Sequence, residues 1–220
     1  MNNLEHPRWG TAVHEAGHVV ANVLLGIPFR KVSVQPGGTT EGHVAGYRTP
    51  GFWSMVEDAG SEASHGQFVA APERKAIERR IISTLAGGLA EMHSTGKDDH
   101  EVGMDIIKRS TEDVFATTGP VALGEGSKVI SGGDYDIALR TALACSGSDE
   151  EGTTYFAWLE RRTINLLRTP GFFAAVESLA RQLLERESLS AREAKQVIAD
   201  ALFRRRERIP DPLVGSSVNQ

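Results

Sequence analysis

The chain has 220 residues, 40% of them hydrophobic, which suits one folded domain with a helical appendage. A net charge of −5 gives no reason to invoke nucleic acid, and Cys145 is the only cysteine, so a disulfide framework and a cysteine-built metal cluster are excluded. A lone thiol favours a reducing, cytoplasmic setting, and the start MNNLEHPRWG lacks the basic and apolar regions of a signal peptide.

The first predicted element is a helix that starts between Pro7 and Thr11 and stops at Gly26, with Pro28 enforcing the exit. From Thr11 to Leu25 it is mostly small and apolar, as a buried helix is, yet it carries His14-Glu15-Ala16-Gly17-His18. Histidines at i and i+4 lie one turn apart on one face, so both imidazoles can reach a single tetrahedral ion. Glu15 borders that face, where it can act on a water at the ion without occupying the ion itself. Core histidines satisfied by hydrogen bonds are the plain alternative, and the burial of the segment argues for zinc. Intramembrane metalloproteases carry a similar pattern, but the apolar stretches near 19–27 and 81–92 are too short or too interrupted to span a bilayer.

Lys31 to Gln35 alternates as a short strand, Pro36-Gly37-Gly38 breaks it, and Gly42 to Tyr47 can return as a second strand. Thr49 to Gly66 reads as loop, and Ala71 to Met92 as a long helix whose second half packs on the motif helix. The Gly87-Gly88 pair would permit that close approach at a cost in helix propensity. A helix at Met104–Thr117 and a Gly-rich loop are expected within 96–133. Asp134 to Ala144 is a predicted helix, and Ser146–Thr153 an acidic turn. From Thr154 to about Arg208 the pattern is helical, broken at Thr169-Pro170-Gly171. Leu179, Leu183 and Leu184 form an apolar stripe, and Ser190 with Glu193 is a capping box opening the last helix. Arg204-Arg205-Arg206 reads as a solvated helix end. Residues 1–208 are expected to form one domain, with a C-terminal helical part at about 154–208 and a disordered tail at 209–220.

Two histidines leave a catalytic zinc needing one more protein ligand and a water. The candidates are Asp134, Asp136, Glu91, Asp105 and the remaining histidines. Asp134 begins a helix whose face continues through Ala138, Thr141, Ala142 and Cys145, all small, so it can press against a metal-bearing helix. Asp136 shares a face with Arg140, as a solvent-side pair would. The helical wheel favours Asp134. Glu91 is its rival, ending an apolar helix either as a ligand or as a carboxylate that orients a ligand histidine. Asp105 stands near Lys108 and Arg109, and His43, His65, His93 and His100 read as ordinary surface histidines.

The runs Thr11 to His18, Lys31 to Val34 and Leu85 to Glu91, and Asp134 with Ala138 four residues later, resemble the peptidase domain of FtsH-type ATP-dependent zinc proteases. The run Leu183 to Leu189 is similar to that domain's final helices. The likeness extends in order from about residue 11 to residue 200. It implies His14, His18 and Asp134 as zinc ligands and Glu15 as general base. It also implies a mainly α (α+β), zincin-like fold: helices with a small β-sheet, whose edge strand receives substrate, and a C-terminal helical bundle. Related proteases form hexameric rings, so a homo-oligomer is a further implication. The sequence departs from the pattern in having no Gly-x-x-x-x-Gly-Lys-Ser/Thr phosphate loop, a long stretch between Glu91 and Asp134, and Tyr135 where an aliphatic residue is commoner. It is most similar to small stand-alone bacterial relatives that lack the AAA ATPase module.

The function expected is a zinc-dependent endopeptidase that cleaves unstructured polypeptides without ATP. Substrate would lie along the 31–35 strand, and a separate unfoldase or regulator would present folded targets. The alternative is a zinc-containing regulatory or partner-binding protein with little proteolytic activity. An intact Glu15 argues against that alternative. A third reading is a selective protease acting on one regulator.

Overall fold

The structure is a computed structural model that describes residues 6–35, 42–46, 71–95 and 134–207. The expected loop at 49–66, the helix at 104–117 and the tail at 209–220 lie outside the described residues, as do Asp105, His65 and His100. Nothing is described of the side chains of Asp136 and of Arg204 to Arg206.

The elements in chain order are α1 (Trp9–Leu25), β1 (Phe29–Ser33), β2 (His43–Gly46), α2 (Ala71–Ser94), α3 (Asp134–Ala144), α4 (Asp149–Leu167), α5 (Phe172–Arg186), β3 (Ser188–Ser190) and α6 (Ala191–Glu207). The fold is mainly α with a small antiparallel sheet, as expected. Helix α1 is central because its small apolar residues allow neighbours close on several sides. Ala12, Val13, Ala16, Val19, Val20 and Ala21 are all buried, and α1 packs against both α2 and α5. Gly26 ends it in the left-handed conformation (φ 69°), with the Ile27 amide donating to the Asn22 carbonyl at 2.8 Å. Glycine takes that conformation without a Cβ penalty.

Helix α2 lies against α1, α3 and α4, so it links the motif helix to the helix that begins at Asp134. Only one glycine of the expected pair makes the close approach. A Cβ at Gly87 would clash with the His18 ring, nearest its Nε2, whereas a Cβ at Gly88 would make ordinary contact with Tyr135 at 3.7 Å. Gly17 supplies the matching gap on α1, since a Cβ there would lie 2.7 Å from the Ala86 carbonyl oxygen.

The sheet order is β2-β1-β3, so β1 is the middle strand. Val32 pairs with Val44 on one side and Leu189 on the other, a ladder of apolar side chains on one face. Strand β3 stands just before the expected capping box, where the sequence reading placed no strand. Helix α5 stops because Glu187 adopts φ 58°, and its carbonyl accepts from the Val34 amide at 2.9 Å, which turns the chain onto β1. The acidic segment 146–153 is also more ordered than a turn. Helix α4 begins at Asp149, its N-cap Ser148 accepting from the Glu151 amide at 3.1 Å. Three acids in the first turn complement the helix dipole.

Candidate metal centre

Helix periodicity places His14 and His18 on one face of α1, their ring centroids 4.8 Å apart and their planes 80° to each other. Each ring is held by the nitrogen that faces away from the other. His18 Nδ1 donates to the Ser83 carbonyl at 2.8 Å, and His14 Nδ1 lies 3.0 Å from Glu91 Oε2. When the rings are neutral, those bonds hold the proton on Nδ1 and leave the Nε2 lone pairs for an ion.

Both Nε2 atoms meet one carboxylate oxygen. Asp134 Oδ2 is 2.9 Å from His14 Nε2 and 3.0 Å from His18 Nε2. Two lone pairs and an anionic oxygen at that separation repel unless a proton or a cation lies among them. The electrostatics reflect this. Burial alone would lower the His14 pKa, but the hydrogen bonds to Asp134 and Glu91 outweigh it and push it up to about 10. Burial would raise the Asp134 carboxyl, yet the neighbouring His14 and His18 hold it well below the usual carboxylate range.

The three residues suit a metal ion. One donor atom from each lies within 4.8 Å of the others, and among the described residues this is the group of histidine, cysteine and acid side chains that could hold one. Tetrahedral zinc with bonds of about 2.0–2.1 Å needs donors roughly 3.3 Å apart, a few tenths of an ångström beyond the two aspartate–histidine distances of 2.9 and 3.0 Å. Two imidazoles and a carboxylate are an ordinary zinc donor set and leave a fourth position for water.

Glu15 is 6% exposed and packs under Gly42, the residue before β2, where a Cβ would lie 2.8 Å from Glu15 Oε1. Burial pushes its pKa up, and the charges of His18 and His14 draw it back. Glu91, the rival third ligand, touches the outward nitrogen of His14 rather than the point where the two Nε2 atoms converge. His93 stacks on Phe173 with centroids 3.8 Å apart, and His43 is exposed on β2. Sequence reasoning missed Ser83, whose carbonyl anchors His18 and whose hydroxyl donates to Asn22 Oδ1 at 2.8 Å. Gly42 was missed as well, because nothing local marks its contact with Glu15.

Among the described residues no helix is long and apolar enough to cross a membrane. No protein-family model matches the chain. Over 198 residues, 86% of this chain, it is 27% identical to the ATP-dependent zinc metalloprotease FtsH 3 of Sorangium cellulosum (strain So ce56). The chain spans 28% of the length of that relative. The likeness supports a distant FtsH-like relationship, and through it a metalloprotease relationship at the family level.

Proposed function

We propose that the chain is a zinc-dependent endopeptidase that cleaves unstructured polypeptides, with His14, His18 and Asp134 as zinc ligands and Glu15 as general base. The observation that carries this is the convergence of two Nε2 atoms on Asp134 Oδ2 while both Nδ1 atoms are tied back. Zinc held there would polarise a peptide carbonyl and make water acidic enough to attack it near neutral pH. Glu15 takes the proton of the attacking water and returns it to the departing amine. Glu91 keeps the His14 ring turned toward the ion and strengthens it as a donor.

The substrate strand is reassigned. Over Lys31–Ser33, β1 is paired on both sides, so it has no open edge to offer. Strand β2 is an outer strand among the described residues, and Gly42, the residue just before it, lies against Glu15. An extended peptide bonded along β2 by its backbone would pass the base, with loose sequence preference. The proposed chemistry draws on zinc, water and Glu15 and on no nucleotide, so cleavage would not itself need ATP, and folded substrates would resist until an unfoldase or regulator presents them.

The test is cleavage of a dye-labelled unfolded polypeptide by the wild type, by chelator-treated protein with and without added zinc, and by Glu15→Gln. Loss on chelation, recovery with zinc, and a fall of about 100-fold or more in Glu15→Gln are expected. A zinc-loaded Glu15→Gln as fast as the wild type removes Glu15 from this role. A zinc-loaded wild type that cleaves nothing favours the regulatory alternative.

A further inference from the structure

Glu160 on α4 is a buried carboxylate, 6% exposed, that the proposed reaction does not use. The Tyr135 hydroxyl donates to Glu160 Oε1 at 3.1 Å. Tyr135 follows Asp134 directly, and its ring is held between two helices. It lies edge-on to Phe156 of α4, centroids 6.1 Å apart, and its Cε2 is 3.7 Å from where a Cβ on Gly88 of α2 would be. Asp134 opens α3, and the first residues of a helix have amides without partners inside it, so this end is the part most easily displaced. A short aspartate side chain cannot make up for a backbone shift, because one oxygen must reach both histidines.

We propose that the Tyr135–Glu160 hydrogen bond sets the position of Asp134 for the metal, making both of them positioning residues. This rests on the zinc reading above. A bond that served only the packing of α3 on α4 would alter stability and leave metal affinity alone. A brace for Asp134 couples the two, because loosening the helix start lets the carboxylate drift from one histidine.

Zinc affinity, by competition with a chromophoric chelator, and melting temperature of the metal-free protein separate these cases. The proteins compared are the wild type, Tyr135→Phe, Glu160→Gln and the double variant Tyr135→Phe/Glu160→Leu. Tyr135→Phe is expected to weaken zinc binding about tenfold, the lower range for outer partners of metal sites. Glu160→Gln keeps an oxygen acceptor for the hydroxyl and should stay close to the wild-type affinity. The double variant leaves no buried carboxylate unpaired, so it should fold even if Tyr135→Phe does not, and its affinity should stay low. Wild-type affinity in a folded Tyr135→Phe or in the double variant overturns the brace alone. A wild type that binds no zinc overturns the brace and the proposed function together.

Discussion

Gly87 holds the place where a side chain would displace His18, and it shows how strongly the site depends on single atoms. Alanine normally favours a helix over glycine by about 1 kcal/mol, so on propensity alone Gly87→Ala should stabilise α2. Here the added methyl group meets the His18 ring, and the ring must leave the metal position. The expected result is loss of zinc from a protein with unchanged helical circular dichroism, measured by elemental analysis of the folded fraction; full retention of zinc would contradict the geometry. At this scale the sequence was readable where the relation is local. His14, Glu15 and His18 follow from one helical turn, and the Asp134 helix from its small face. Ser83 and Gly42 were not readable, because their contacts with His18 and Glu15 join separate elements.

At the scale of elements, α1, α2 and α3 were legible from periodicity and their Gly, Pro and Asp boundaries. Strand β3 was not, since three residues carry no period and Leu189 continues the leucine pattern of α5; only pairing with β1 makes it a strand. The capping box that follows was legible. Ser190 Oγ and the Ser190 amide both donate to Glu193 Oε2, at 2.7 and 2.9 Å, and Arg186 also bonds to Glu193. Ser190→Ala should destabilise the fold by about 1 kcal/mol in denaturant unfolding. The Ser190 hydrogen bonds pull the Glu193 pKa from 4.5 down to about 2, with Arg186 adding to the effect. The stabilisation is therefore full above about pH 4.5 and fades as pH falls toward 2. The gap in melting temperature between wild type and Glu193→Ala should narrow over that window, and a constant gap would contradict the assignment. The outer position of β2 makes another prediction. Substrate peptides N-methylated at alternate residues near the scissile bond should show raised KM, since each methyl removes a backbone donor from an edge pairing. KM values indifferent to methylation at every position would place substrate elsewhere.

At the scale of the molecule, α1 carries the proposed base and two of the proposed ligands, α2 carries the Glu91 and Ser83 groups bonded to those histidines, and α3 carries the proposed third ligand. The remaining helices and the sheet hold those three in place around one continuous core. The distant likeness to an FtsH metalloprotease covers most of this chain but 28% of that relative, and the activity proposed for the arrangement is peptide hydrolysis. Zinc content of the purified wild type, Asp134→Ala and Glu91→Ala tests the central claim most directly. The account predicts a bound zinc ion in the wild type, its loss from Asp134→Ala, and its retention with weaker affinity in Glu91→Ala. A wild type without metal, or zinc that survives in Asp134→Ala and disappears from Glu91→Ala, would contradict it.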